Sequence, residues 1–146
     1  MAETLGSLCD KLTIVKLKQY HTDNEGKLKS LNIQEQQLIE EIDQYLEDAV
    51  KGRIPINKME FANNKVYKKE GNEVKDIHGW IGEIFSKLAN INCELWHEQE
   101  KVYDFEAIPS EKKNMVVKQL ALLNLERNKY IDQINRTFKE TITNNI

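Results

Sequence analysis

Residues 81–103 read IGEIFSKLANINCELWHEQEKVY, and this stretch decides the fold class. On a helical wheel its apolar side chains fall within one arc of about 140°. They are Ile81, Ile84, Phe85, Leu88, Ile91, Leu95, Val102 and Tyr103. A half-buried strand would alternate with a period of two instead. The stretch therefore predicts a long amphipathic helix, which we place from about residue 76 to about residue 103.

Three further segments, at about 4–23, 27–50 and 110–141, share this helical periodicity. The two prolines, Pro55 and Pro109, fall between the predicted helices, where helix breakers belong. Residues 53–75 are less regular and locally basic, and we expect an ordered excursion there. Its predicted anchors to the core are Ile54, Ile56, Met59, Phe61, Val66 and Tyr67. The pattern predicts a single all-α domain, residues 1–146, built as a bundle of about four helices.

The two halves of the chain resemble each other. Residues 5–12 (LGSLCDKL) align with residues 81–88 (IGEIFSKL), and the same register places Tyr20-His21 on Trp96-His97. A second match sets 31–33 (LNI) on 123–125 (LNL). Two matches in the same order predict a duplicated helical hairpin, with copies at about 4–50 and 76–141. Gly6 and Gly82 would let another backbone or a ligand approach closely, although plain helix-packing glycines and interhelical histidine hydrogen bonds explain the pattern equally well.

Length and composition restrict the class of protein. The 146 residues carry 21 basic and 24 acidic side chains, a formal net charge of −3, which argues against a nucleic-acid polymer as a partner. No apolar run approaches the roughly 18 residues of a membrane span, and no secretory signal opens the chain. Cys9 and Cys93 are typical of reduced, buried thiols in a cytoplasmic protein. Apolar residues on more than one side of the first helix favour a homo-oligomer.

The candidate ligand-binding residues combine cations, amides and aromatic rings. Cations suit phosphate or carboxylate, amides suit hydroxyls or base edges, and rings stack on sugars or bases. The set consists of Lys11, Tyr20, His21, Lys65, Lys68, Lys87, Trp96, His97, Asn124, Arg127 and Asn128. Arg127 is one of only three arginines and lies in mid-helix, so it leads the set. For any single member, a solvated lysine or a core tryptophan remains the plain alternative.

Metal chemistry finds less support in the sequence. Glu94 and His97 have the Glu-x-x-His spacing of di-iron bundles, but Lys18 stands where the first copy would need its glutamate. The acidic residues at 40–48 resemble one half of a magnesium site without a matching acidic motif on the last helix. Since phosphate-loop and nucleophile motifs are missing as well, we expect no metal, no cofactor and no assignable catalytic residue.

The elements LWHEQEK at 95–101, LNLERN at 123–128 and Ile131-Asp132 resemble an uncharacterised helical family, a domain of unknown function. Its members share Leu-Trp-His-x-x-Glu and Asn-x-x-Arg-Asn elements. The opening LGSLCDKLTI at 5–14 is similar to small proteins of phage genomes and of bacterial sugar-processing neighbourhoods. The resemblance covers roughly half the chain and implies helices with a shared site around His97, Asn124 and Arg127.

We therefore expect a helical homo-oligomer that binds a small anionic metabolite, nucleotide- or sugar-phosphate-like. The phage resemblance implies that binding could serve to sequester a host signalling nucleotide. Two alternatives stay open. One is an enzyme on a sugar or nucleotide substrate with His97 or His21 as general acid/base. The other is a protein-interaction scaffold.

Overall fold

The computed structural model describes residues 3–61 and 79–144. Four helices run through these ranges: α1 (Leu5–His21), α2 (Glu25–Val50), α3 (Ile81–Tyr103) and α4 (Ser110–Asn144). Two single 3₁₀ turns, Ile56–Lys58 and Phe105–Ala107, follow α2 and α3. No strand occurs in the described ranges, and the helices pack on one another, so the predicted all-α helical bundle is confirmed.

Local capping chemistry sets the ends of the first two helices. Thr4 and Ser7 form a reciprocal capping box, in which the Ser7 N–H donates to Thr4 Oγ1 (3.2 Å) and the Thr4 N–H donates to Ser7 Oγ (2.8 Å). The side chain of Asn24 accepts from the Lys27 N–H (3.0 Å) at the start of α2. After α2, Gly52 adopts a φ of +73°, a left-handed conformation that ends the helix.

The third helix starts later than the sequence predicts. Its periodicity placed the start near residue 76, but Ile81 is the first helical residue. Gly79 has a φ of +147° and Trp80 is extended, and neither conformation can continue a helix. The helical prediction for 76–78 lies outside the described residues.

The core lies between α1, α3 and α4, and α1 packs against each of the other three helices. Its fully buried side chains include Ile84 and Leu88 from α3, Ile134 from α4 and Met59 from the segment after α2. In α2 only Leu31 and Ala49 are buried, because this helix packs mainly on α1. The α1–α2 and α3–α4 hairpins therefore share one core, to which the second half of α2 contributes Ala49 and the partly buried Ile42, Tyr45 and Leu46.

The excursion after α2 is anchored where it is described. Met59 is 1% exposed, and Ile54 and Ile56 pack against the core, as expected. Phe61 is 43% exposed, so its prediction as an anchor is wrong. The other predicted anchors, Val66 and Tyr67, lie outside the described residues.

Polar bridges tie α2 to α1. The Glu35 carboxylate accepts from Gln19 Nε2 (2.5 Å) and from Lys16 Nζ (3.3 Å). These hydrogen bonds, led by the one from Gln19, hold the pKa of Glu35 below its ordinary range.

No helix within the described ranges is long and apolar enough to cross a bilayer.

Candidate functional site

Four rings from the two halves of the chain meet at the end of α1. The imidazole of His21 stacks on the indole of Trp96, with centroids 4.8 Å apart and planes 11° from parallel. Tyr20 and His97 meet His21 edge-on, at centroid distances of 5.1 and 6.4 Å. We call these four residues the ring cluster. The Tyr-His and Trp-His pairs that the sequence alignment matched are therefore neighbours in the fold.

A cleft of about 420 Å³ opens beside the ring cluster, between the end of α1, the start of α2 and α3. Its size lies within the range of small-molecule sites, roughly 300–1,000 Å³. Two cations, a ring pair, a hydroxyl and an amide face it: Lys18, Lys27, His21, Trp96, Ser30 and Gln34. We call it the basic cleft. Of the predicted binding residues, His21 and Trp96 line it.

The two lysines of the basic cleft differ from the lysines that the sequence singled out. Lys18 and Lys27 are exposed and form no ion pair with any described residue. By contrast, Lys11 is paired with Glu3, and Lys87 is paired with Glu83 at 3.1 Å. The charges of Lys18 and Lys27 therefore remain available to a ligand. Neither lysine was predicted, because the sequence does not show which lysines lie at a concave surface and which are simply solvated.

The structure does not bring the other predicted lysines to the ring cluster. Lys11 precedes His21, and Lys87 precedes His97, by ten residues, which is about 15 Å along a helix axis. Lys65 and Lys68 lie outside the described residues.

Arg127, which led the predicted set, is occupied by a carboxylate of the protein itself. Its Nε donates to Asp10 Oδ1 (2.8 Å) and its Nη2 donates to Asp10 Oδ2 (2.5 Å). Asp10 is 5% exposed, and the hydrogen bonds to its carboxylate raise the pKa of Arg127. The Asp10 carboxylate occupies the Nε–Nη2 edge of the guanidinium and balances its charge, and Arg127 does not line the basic cleft. Arg127 thus joins α4 to α1.

Two more polar side chains complete this buried network. The Asn92 amide donates to Asp10 Oδ1 (3.0 Å) and to Thr13 Oγ1 (2.6 Å), and the Thr13 hydroxyl donates to the Asp10 carbonyl (2.7 Å). These residues were not among the predicted site residues, although the helical periodicity of α3 indicates one of them. Asn92 falls inside the apolar arc of α3, where a polar residue must be buried and hydrogen-bonded.

The two predicted amides of α4 are half-buried. Asn128 Nδ2 donates to the backbone carbonyl of Asn124 (3.0 Å), one turn earlier on the same helix. Neither amide lines the basic cleft.

The glutamate-histidine spacing on α3 does not assemble a metal-binding set. Over residues 3–61 and 79–144, no three histidine, cysteine, aspartate or glutamate side chains are grouped to hold an ion. His97 Nδ1 lies 4.0 Å from Glu100 Oε1, and both side chains are exposed.

Cys9 and Cys93 are free thiols, and Cys93 is exposed rather than buried as predicted.

Comparison of the chain with protein-family models, with characterised proteins and with solved structures gives no match.

Proposed function

We propose that the chain binds a small anionic metabolite, nucleotide- or sugar-phosphate-like, in the basic cleft. The observation that carries this proposal is the pair of exposed lysines, Lys18 and Lys27, which face one cleft without an acidic partner among the described residues. Two ammonium groups at one concave surface suit a phosphate, which is the charged part shared by both ligand classes.

The remaining lining suits the uncharged part of such a ligand. Ser30 and Gln34 offer a hydroxyl and an amide on successive turns of α2, which can hydrogen-bond sugar hydroxyls or a base edge. Leu31 and Trp96 offer apolar contact for a sugar or base ring. The imidazole of His21, which stacks on the indole, lines the same cleft as the two lysines.

Isothermal titration calorimetry with three probes tests the proposal: adenosine monophosphate, a uridine diphosphate sugar and glucose 6-phosphate. The double variant Lys18→Ala/Lys27→Ala is expected to weaken binding of the best probe at least about tenfold, since each charged hydrogen bond contributes roughly 1.5–3 kcal/mol. The matched control is Lys11→Ala/Lys87→Ala, which removes two lysines that are already paired.

The control variant should bind like the unmodified chain. Equal losses in both variants would mean that only the total charge matters, and would overturn the assignment to the basic cleft. Failure of all three probes to bind at millimolar concentration would count against the ligand class itself.

Sequestration is the role that we infer for this binding, because the described site offers cations and rings but no activated nucleophile. A sequestering protein should withdraw one probe molecule per site from solution and return it unchanged on denaturation. Mass spectrometry of the released ligand distinguishes this from turnover.

The histidine pair favours a second candidate function, an enzyme that acts on the same ligand class. The ring centroids of His21 and His97 lie 6.4 Å apart, and His21 lines the cleft, where an imidazole can move a proton to or from a bound substrate. An enzyme would convert the probe, and His97→Ala would abolish conversion while the Kd stayed within a few-fold. Absence of conversion at equal protein and probe concentrations removes this candidate.

A further inference from the structure

The basic cleft contains one side chain of a type that changes its charge near neutral pH. His21 lines the cleft together with Lys18 and Lys27. Lys18 lies three residues before His21 in α1, so the two side chains occupy the same face of the helix. A lysine ordinarily carries its charge throughout the physiological range, whereas a histidine gains or loses its charge between about pH 5 and 8. The net charge of the cleft therefore depends on whether His21 carries a proton.

The stacking of His21 on Trp96 is compatible with both charge states of the imidazole. The ring planes lie 11° from parallel, and the centroids are 4.8 Å apart. A protonated imidazole in this position lies over the negative face of the indole, within the roughly 6 Å at which a cation is attracted to an aromatic ring. The His21 side chain is also exposed, so its ring can exchange a proton with water. Protonation therefore requires no rearrangement of the ring cluster.

The titratable groups that share this face with His21 are cationic or uncharged. They come from all three helices that meet here: Lys18 and Tyr20 from α1, Lys27 from α2 and His97 from α3. The fourth helix, α4, contributes no residue to the lining. No carboxylate of the described residues lines the cleft. In the absence of a ligand, this face therefore offers no negative partner to a protonated His21.

The acids of α2 and of the connection before it do not change this picture. Asp23 lies between α1 and α2 and is not part of the lining. Glu25 lies about 160° around α2 from Lys27, on the side of the helix that faces away from the cleft. Glu35 is bonded to two side chains of α1 and lies outside the lining.

The acids at the end of α3 also have other partners. Glu98 is paired with Lys101 at 2.8 Å, and Glu100 lies 4.0 Å from His97 Nδ1. Glu94 interacts electrostatically with Tyr130 of α4. Of the two histidines, His97 thus has a carboxylate nearby, whereas His21 has the cleft.

A bound anion would supply the negative charge that the described lining lacks. Its charge favours the protonated imidazole, and the protonated ring can donate a charged hydrogen bond to the anion. We therefore propose that His21 takes up a proton from water when the basic cleft binds its anion, so that binding strengthens as the pH falls from about 8 to about 5.5. This uptake rests on the proposed function, because the bound anion is what draws the proton to His21.

Isothermal titration calorimetry at pH 5.5, 6.5 and 8 tests the proposal. The probes are uridine diphosphate glucose and adenosine 5′-sulfate, whose charges stay constant over this range, whereas a phosphate monoester takes up a proton near pH 6. The Kd of the unmodified chain should fall at least about fivefold from pH 8 to pH 5.5, since a neutral hydrogen-bond donor becomes a charged one. Circular dichroism at each pH confirms that the helices are retained.

Two matched variants locate the proton. His21→Phe keeps a ring against Trp96 but cannot take up a proton, so its Kd should change less than about twofold between pH 8 and pH 5.5. His97→Phe removes an imidazole that does not line the cleft, and it should keep the pH dependence of the unmodified chain. A pH dependence that survives in His21→Phe, or one that is lost only in His97→Phe, overturns the proposal.

The number of protons taken up can be measured directly. At pH 6.5, titrations in buffers of different ionisation enthalpy give the protons bound per probe molecule, and this number should be positive in the unmodified chain and near zero in His21→Phe. Binding without proton uptake and with the same Kd at every pH overturns the proton uptake and leaves the proposed function intact. Absence of binding at every pH counts against the proposed function itself, and the proton uptake falls with it.

Discussion

Gly6 decides how closely α1 approaches α4. A Cβ atom added there would lie 2.5 Å from the Ile131 carbonyl oxygen and 2.8 Å from Asn135 Oδ1. Its counterpart in the sequence alignment, Gly82, has no neighbouring atom within 4 Å of such a Cβ. Gly6 therefore permits the expected close approach of another helix, whereas no described atom comes close to Gly82.

We predict opposite effects of Gly-to-Ala substitution at these two positions. Gly6→Ala should lower the free energy of unfolding by about 1–3 kcal/mol, because backbone must move to relieve the clash. Gly82→Ala should leave it unchanged or raise it by up to about 1 kcal/mol, since alanine favours a helix. Urea denaturation followed by circular dichroism measures both, and equal effects would contradict the close α1–α4 contact.

The Asp10–Arg127 pair is expected to contribute to stability rather than to ligand affinity. Asp10→Ala should cost about 2–4 kcal/mol of unfolding free energy, because it leaves a partly buried guanidinium and the Asn92 amide without their partner. Replacing both residues by leucine should cost less than the sum of the two single Leu changes, by about 1–3 kcal/mol. Additive costs in this double-mutant cycle would mean that the two side chains do not interact in solution.

The two thiols should differ in reactivity. Burial, reinforced by neighbouring Asp10, raises the pKa of Cys9 to about 11, so about one molecule in a thousand carries a Cys9 thiolate at pH 8. Cys93 is exposed. In dilute protein, iodoacetamide should modify Cys93 at least about tenfold faster than Cys9. The alkylation rate of Cys9 should rise about 30-fold between pH 8 and 9.5. With its raised pKa, the thiol forms more of the reactive thiolate as the pH rises. Peptide mass spectrometry measures both rates, and comparable rates at pH 8 would contradict the burial of Cys9.

At the scale of the element, α2 is the helix with the smallest share of buried residues. Between its two buried residues, Leu31 and Ala49, its side chains are exposed or half-exposed. Part of its attachment to α1 is polar and passes through Glu35. The pKa of Glu35 is depressed, so this contribution is present above roughly pH 4 and is lost as pH falls through the folded-state pKa.

Hydrogen exchange should reveal α2 as the first helix to open. Its amides between residues 32 and 48 are expected to exchange before those of α3 and α4 at pH 7, because few buried contacts oppose local unfolding. Glu35→Gln should accelerate exchange in α2 alone, whereas Glu41→Gln should not, because Glu41 accepts a hydrogen bond from Gln37 of the same helix. If α2 exchanges at the rate of α3, the interpretation of α2 as the peripheral helix is wrong.

At the scale of the molecule, one core joins all four helices and the segment around Met59. Leu88 is fully buried in it, whereas Leu28 on α2 is 36% exposed. Leu88→Ala should cost about 2–5 kcal/mol, a large part of the roughly 5–15 kcal/mol expected for a domain. Leu28→Ala should change stability by less than about 1 kcal/mol. Thermal unfolding can be followed in parallel by circular dichroism and by tryptophan fluorescence. If the core is shared, the midpoint temperatures from the two signals should shift by the same amount.

Much of the architecture could be predicted from periodicity. The ends of α1, α2 and α4 lie within about three residues of their predicted positions, since capping residues and breakers act locally. The start of α3 was misplaced because apolar spacing alone does not reveal the backbone angles of Gly79 and Trp80. The duplication of the hairpin stays a prediction. Its matched positions include the buried pair Leu31 and Leu123, but also Gly6 and Gly82, whose environments differ.

The amino-acid sequence by itself determined the all-α class, the number of helices and the residue types from which a binding site can be made. Those properties follow from interactions between residues three or four positions apart. Only the tertiary structure decided which side chains meet. It joined Arg127 to Asp10 and His21 to Trp96, and it placed Lys18 and Lys27 beside a cleft with no ion-pair partner among the described residues. Helix pairs cross at angles and registers set by packing across many residues, so contacts between residues 75 or 117 positions apart cannot be calculated from local periodicity.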